Sequence, residues 1–127
     1  MLHRKNTIAS LDNNNFFENN NITIQELPFI SKINLRIDPN NKDYMSICGR
    51  ILKVILPLKP NTYSKNEDTK VLWLGPDEWL IINENENNIF FELNDKLNKI
   101  ENSVTDVSEN RTTIRLKGKK IFVLLSK

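Results

Sequence analysis

The side chains best suited to chemistry are few and lie far apart in the sequence. The chain of 127 residues has a single histidine, His3, and a single cysteine, Cys48. Metal centres need several histidine, cysteine or carboxylate ligands, and nucleophilic triads need a histidine beside the nucleophile. Cys48 falls on the apolar face of a predicted helix, where a cysteine usually serves as a small buried hydrophobe. We therefore expect neither a metal site nor a catalytic triad.

Two groups of charged residues remain as candidates for acid–base chemistry. Asp77 and Glu78 are adjacent, but adjacent strand residues point to opposite faces, and an aspartate often stabilises the backbone of a hairpin turn. Asp106, Glu109 and Arg111 surround a second predicted turn, where Asp106 and Arg111 can pair across the hairpin. A structural role is the favoured interpretation of both groups.

The composition argues against several further classes of function. The three glycines are isolated from one another, so the sequence has no glycine-rich loop that would cradle a phosphate. The 18 basic residues barely outnumber the 16 acidic ones, and they are scattered, which does not favour nucleic acid as a partner. A lone cysteine forms no internal disulfide, and neither a leader nor a membrane span is evident. We therefore expect a cytoplasmic protein.

Hydropathy patterning predicts a single α+β domain, residues 21–127, after a flexible N-terminal arm, residues 1–20. Alternation of apolar and polar residues predicts strands at residues 22–25, 32–37, 70–74, 78–82, 104–107 and 112–117. The last two strands are predicted to form a hairpin around residues 108–110.

Apolar spacing of three and four residues predicts two helices. The first spans residues 41–55, with Asn40 or Asn41 as its cap, and the second spans about residues 88–100, with Asn87 as its cap. Residues 61–68 are predicted to be a polar loop.

From residue 32 onward the predicted element order is that of the ferredoxin-like split βαβ two-layer sandwich. Two helices cover only one face of such a sheet, yet both alternating sets in residues 71–74 and 79–82 are apolar. The second face is therefore covered by the remaining strands and residues 121–125, by another protein chain, or by both. Of Trp73 and Trp79, we expect one in the core and one in a contact surface.

Two stretches of the sequence, read together, resemble the gamma subunit of heterotetrameric sarcosine oxidase. They are residues 71–80, VLWLGPDEWL, and residues 104–112, VTDVSENRT. Shorter similar stretches lie at residues 35–38, 56–57 and 60–62. The resemblance runs from about Ile22 to the end of the chain.

The resemblance implies a small structural subunit in a complex with alpha, beta and delta chains that oxidatively demethylates sarcosine to glycine. It also implies that the other subunits hold FAD, FMN, NAD and tetrahydrofolate, that this chain holds no cofactor, and that the large alpha chain is its chief partner. The implied fold is a truncated form of the aminomethyltransferase-like folate-binding fold. Family members continue beyond the last residue here, so the chain is either a fragment or a shortened form.

The leading hypothesis is thus a non-catalytic assembly subunit that buries an apolar surface against a large partner. Its predicted interface comprises Trp73, Leu74, Pro76, Asp77, Glu78, Trp79, Asp106 and Arg111. The alternative is a stand-alone folate-binding or one-carbon-transfer domain, for which the two tryptophans with Asp77, Glu78 or Asp106 are the only candidates to line a pocket.

Overall fold

The chain has a mixed α and β fold built on antiparallel sheets. The computed structural model describes residues 15–18, 22–85 and 88–126. Within these ranges the elements are β1 (Asn15–Glu18), β2 (Thr23–Glu26), β3 (Ser31–Arg36), α1 (Lys42–Leu52), β4 (Tyr63–Lys65), β5 (Thr69–Gly75), β6 (Glu78–Asn83), α2 (Ile89–Lys96), β7 (Ser103–Asp106), β8 (Ile114–Lys117) and α3 (Ile121–Leu125). None of the helices in these ranges is long and apolar enough to cross a membrane.

Internal contacts divide the chain into two compact units. Unit 2 is residues 30–109, and unit 1 combines residues 1–29 with residues 110–127. In unit 1 the described residues form a three-stranded sheet of order β1-β2-β8, followed by α3. Most of the predicted N-terminal arm, residues 1–20, lies outside the described residues, and within it residues 15–18 form β1. The predicted division into an arm and a single domain of residues 21–127 stays a prediction.

Unit 2 is a five-stranded antiparallel sheet of order β4-β5-β6-β3-β7. The predicted strands at residues 32–37, 70–74 and 78–82 are confirmed as β3, β5 and β6, which occupy its centre. β4 lies within the predicted polar loop and is a difference from the prediction, since three residues are too few for alternation to be recognised.

The core of unit 2 lies between one face of this sheet and the two helices α1 and α2. The alternating strand residues Ile33, Leu35, Val71 and Ile81 are at most 1% exposed. They share one cluster with eight further buried residues, which are Ile37, Cys48, Leu52, Leu56, Trp79, Ile89, Leu93 and Leu97. Burial of these side chains is the main source of stability for the unit.

The first helix begins where the sequence predicts and ends three residues earlier than residue 55. The Asn41 side chain accepts a hydrogen bond from the Tyr44 amide at 3.1 Å, which confirms it as the cap. Lys53 then adopts a left-handed conformation with φ of 57°. The Asn66 side chain donates to the Leu52 carbonyl at the end of the helix at 3.1 Å, so the loop after β4 closes the end of α1.

The second helix is shorter than the predicted span of residues 88–100. Leu97 has an extended backbone, and the Asn98 side chain accepts from the Ile100 amide, so a local turn replaces the last predicted helical turn. Ile100, assigned to the buried face, is instead 94% exposed. The predicted cap Asn87 lies outside the described residues, and Asn88 precedes the helix without a side-chain capping bond.

The predicted hairpin between residues 104–107 and 112–117 is wrong. β7 pairs with β3 in the five-stranded sheet, and β8 pairs with β2 in the other sheet. The bend after β7 explains the difference, because the Ser108 hydroxyl accepts from the Lys32 amide at 2.8 Å and donates to the Asp106 carboxylate at 2.6 Å. These bonds fix residues 106–108 against β3.

Candidate functional site

The motif residues 71–80 form the β5–β6 hairpin at the centre of unit 2. Pro76 and Asp77 make its turn, in which proline fixes the backbone and aspartate tolerates the bend. The pairing shifts by one residue between Trp73 and Gly75, so that Leu74 bulges out of the ladder. The Asp77 carbonyl accepts from the Ile37 amide at 3.2 Å, which ties the turn to the end of β3. We call residues 74–77 the hairpin tip.

The two tryptophans have different environments although they face each other in the register of β5 and β6. Trp79 has no exposed surface, and its indole N–H donates to the Pro57 carbonyl at 2.7 Å. Trp73 is half-buried. Of the two tryptophans, Trp79 is therefore the core residue and Trp73 the accessible one. The inclusion of Trp79 in the predicted interface is corrected, because a side chain with no exposed surface cannot contact a partner.

The two adjacent carboxylates of the motif do not converge. Glu78 accepts from the Asn34 side-chain amide at 2.9 Å and pairs with the Arg36 guanidinium at 3.3 Å, across the β3–β6 ladder. Asp77 is exposed in the turn. The geometry supports the structural interpretation of Glu78, whose charge is neutralised by a strand neighbour.

The other predicted polar cluster has members in both units, since Asp106 and Glu109 fall within residues 30–109 and Arg111 falls within residues 110–127. Asp106 belongs to unit 2, where its carboxylate accepts bonds from the backbone and the side chain of Ser108 at 3.0 and 2.6 Å. Arg111 is exposed and belongs to unit 1. The hairpin that would have placed the two opposite each other is absent from the observed strand pairing.

The face of the five-stranded sheet opposite the helices carries a partly exposed apolar strip. We call it the outer sheet face, and it comprises Tyr63, Lys65, Lys70, Leu72, Leu80 and Ile82. The three aliphatic residues are half-buried, Tyr63 is 57% exposed, and both lysines are exposed. The prediction of apolar residues on both faces of β5 and β6 is confirmed, whereas the lysines and tyrosine were missed because their strand partner β4 was not recognised.

No arrangement in the described parts of the chain resembles a metal centre or a reactive thiol. No group of three histidine, cysteine or carboxylate side chains within residues 22–85 and 88–126 could hold a metal ion. Cys48 is fully buried, and this burial raises the pKa of its thiol to about 12, so the thiol is protonated and unreactive near neutral pH.

Two open cavities lie along the helices of unit 2. One, of about 830 Å³, is lined by α2 and the residues after it, including Phe91 and Lys99. The other, of about 400 Å³, lies between Ile47 and Ile51 of α1 and Lys96 of α2. Neither is lined by a tryptophan or by any of the carboxylates considered for folate binding.

Sequence comparisons connect the chain with one group of proteins. It is 29% identical over 107 residues to the sarcosine oxidase gamma subunit of Corynebacterium sp. (strain U-96), and 26% identical over 106 residues to that of Arthrobacter sp.. Each alignment covers 84% of this chain and 52% of the relative, so the chain spans about half the length of the curated relatives it matches. No protein-family model matches the chain.

A solved structure agrees with this likeness. A chain of heterotetrameric sarcosine oxidase from Corynebacterium sp. U-96, in complex with pyrrole 2-carboxylate, is similar in fold with a TM-score of 0.80 and 25% sequence identity. The match covers 95% of this chain and 64% of that chain. The resemblance to sarcosine oxidase gamma subunits first noted in residues 71–80 and 104–112 is thereby confirmed.

Proposed function

We propose, from the likeness to sarcosine oxidase gamma subunits, that this chain is a non-catalytic structural subunit of a heterotetrameric sarcosine oxidase complex. The observation that carries the proposal is the agreement in fold over 95% of the chain with a chain of such a complex. Oxidative demethylation of sarcosine to glycine takes place on the other subunits, in the cytoplasm. The same likeness supports this function over a stand-alone folate-binding domain.

The partners in this proposal are alpha, beta and delta chains, chiefly the large alpha chain. They hold FAD, FMN, NAD and tetrahydrofolate, and the present chain contributes contact surface alone. The buried, protonated Cys48 and the neutralised Glu78 support a role without chemistry in this chain, because both side chains have local structural explanations.

Within unit 2 we further propose a ferredoxin-like split βαβ unit of the aminomethyltransferase-like folate-binding fold. The element order β3-α1-β5-β6-α2-β7 and the strand order β5-β6-β3-β7 support it. β4 extends this four-stranded arrangement by one edge strand.

The contact surface that we propose for the partner is the hairpin tip with its neighbours. Leu74 is 42% exposed, Pro76 and Asp77 are exposed, and the half-buried Trp73 lies beside them. Apolar and aromatic side chains are typical of the centre of an interface, and charged ones of its rim. The remaining predicted contacts are Glu78, Asp106 and Arg111, while Trp79 supports the surface from within the core.

Co-expression tests the proposal. The tagged full chain is produced with the alpha, beta and delta chains of the same organism, and the purified material is analysed by size-exclusion chromatography and flavin absorbance. We expect a flavin-containing complex that includes this chain and whose yield falls when the chain is omitted. A complex that assembles fully without it, while the chain elutes alone, would contradict the proposal.

A pair of variants localises the contact. We expect Leu74→Glu to lower co-purification about tenfold, since a charge would be buried at the interface centre. The matched control is Phe91→Glu, which places the same charge on an exposed aromatic of α2, away from the hairpin tip. Equal losses for both variants would remove the tip from the interface.

Titration of the free chain with a reduced folate, followed by tryptophan fluorescence, tests the alternative function.

A further inference from the structure

The outer sheet face has two lysines directly opposite each other. Lys65 of β4 and Lys70 of β5 are partners in the strand register, and both are exposed. Two positions further along, Tyr63 lies opposite Leu72, which in turn lies opposite Leu80 of β6. The face therefore presents a pair of positive charges beside a strip of apolar and aromatic surface.

This arrangement is unfavourable for the isolated chain. Like charges directly opposite each other destabilise an antiparallel pair. Across the residues that the structure describes, neither Lys65 nor Lys70 has a carboxylate within ion-pair distance, in contrast to Arg36, which pairs with Glu78 on the same face. The Lys70 ammonium instead lies 5.6 Å from the centre of the Tyr63 ring, which holds it over the sheet.

We propose that the outer sheet face binds an acidic surface of a partner subunit, with carboxylates at Lys65 and Lys70 and apolar side chains over Leu72 and Leu80. The inference rests on the proposed function and assigns a second contact surface to it, continuous with the hairpin tip along β5. Carboxylates placed there would relieve the repulsion between the two lysines, so complex formation removes a cost that the free chain carries.

The chemistry of the outer sheet face favours an acidic protein surface as its partner over nucleic acid or an anionic membrane. The formal charge of the whole chain is only +2. On this face Lys65 and Lys70 lie together at one end of the apolar strip, while Arg36 near the other end is already paired with Glu78. Nucleic acid requires cations that follow the spacing of phosphates, and an anionic membrane requires a larger basic cluster. A protein surface can match two charges and a flat apolar strip together.

The main test compares two double variants of the full chain in binding to the co-expressed partner subunits. Lys65→Glu with Lys70→Glu should lower the association rate about tenfold at low salt and make that rate rise with added salt where the wild-type rate falls, because the attraction has become a repulsion. Lys96→Glu with Lys99→Glu makes the same change in net charge at the end of α2 and should leave both quantities close to wild type.

A single variant separates an effect on the interface from damage to the fold. Lys65→Glu creates an opposite-charge pair with Lys70, so the thermal midpoint of the free chain should rise by about 1–3 °C. The same variant should weaken binding to the partners about threefold. A rise in stability together with a loss of affinity is not expected from a lysine that serves only the fold.

The outcomes distinguish this inference from the proposed function. Failure of the wild-type chain to associate would overturn both, whereas normal association of both wild type and the Lys65/Lys70 double variant would overturn only the inference. The third comparison uses phosphatidylserine vesicles. If the chain binds them through Lys65 and Lys70 while partner binding is unchanged by the double variant, the face recognises a lipid surface and the inference is wrong.

Discussion

Trp73 and Trp79 lie opposite each other in one strand pair, yet the sequence could not say which of them enters the core. The burial of Trp79 involves Pro57, 22 residues earlier in the sequence, whose carbonyl accepts a hydrogen bond from the Trp79 indole. Neither alternation nor composition reports such a long-range partner. The motif at residues 71–80 was recognisable from the sequence. The different roles of Trp73 and Trp79 became clear only from the packing of unit 2 around residues 79 and 57.

Replacement of Trp79 should be far more costly than replacement of Trp73. Trp79→Ala leaves a large cavity and an unsatisfied carbonyl at Pro57, so we expect a loss of about 3–5 kcal/mol in the free energy of unfolding. Trp73→Ala should cost about 1–2 kcal/mol, since its side chain is only half-buried. Urea unfolding monitored by circular dichroism measures both. Similar losses for the two variants would contradict the assignment of Trp79 to the core.

The thiol of Cys48 makes the stability of the chain depend on pH in the alkaline range. Its pKa rises from an ordinary value of 9.0 to about 12 because burial disfavours the thiolate. Between these values the unfolded chain has lost the proton and the folded chain keeps it, so stability falls as pH rises. From pH 8 to pH 10 the wild-type chain should lose about 1 kcal/mol more than Cys48→Ala. Equal losses by chemical unfolding would show that the thiol titrates normally in the folded chain.

At the scale of elements, regular patterns were predicted well and their ends and pairings were not. α1 and its cap Asn41 follow from apolar spacing and the preference of asparagine for caps. Asparagine side chains bond at the ends of both helices, Asn66 to the Leu52 carbonyl from a later loop and Asn98 to the nearby Ile100 amide. Asparagine is too abundant in this sequence for these two positions to stand out. The false β7–β8 hairpin had a different cause, because sequence proximity favours a hairpin and only the distant partners β3 and β2 exclude it.

Asn66 organises the loop that joins α1 to β5, and its loss should be measurable. Its amide donates to the Leu52 carbonyl, while its side-chain oxygen accepts from the Asp68 and Thr69 amides at 3.0 and 2.8 Å. Asn66→Ala should lower the free energy of unfolding by about 1–2 kcal/mol. Asn40→Ala removes an exposed asparagine before α1 and serves as the control, with an expected change below about 0.5 kcal/mol. A loss no greater than in the control would mean that water replaces these bonds.

On the scale of the whole molecule, the sequence predicted the class of fold but not its division into two units. Every element from β3 to β7 belongs to one contiguous segment, and the patterns within residues 30–109 predicted their order correctly except for β4, which was assigned to a loop. Unit 1 instead requires β2 and β8 to pair, and the register that joins Thr23 to Lys117 spans most of the chain. Local patterns carry no information on a pairing of that separation.

The two units should differ in protection against hydrogen exchange. The amides of β3 and β6 lie between paired strands and beside fully buried residues such as Leu35 and Ile81. The amides of β8 lie at a sheet edge, where Ile114 is 52% exposed. We expect exchange at least tenfold slower in β3 and β6 than in β8, because edge strands open locally at lower free energy. Mass spectrometry of peptic fragments measures it, and uniform protection across both units would contradict the expectation.

The division of the chain also sets an order of events during translation. The strand pairs of unit 2 are complete once residue 106 has left the ribosome, so that unit can form its core while the remaining residues are still being made. β2 is synthesised early but has to wait for β8, since Thr23 and Lys117 pair in the finished sheet. During that interval one edge of β2 lacks its partner strand, and it is in the growing chain, rather than in the finished one, that this edge is open to wrong pairing and to chaperones.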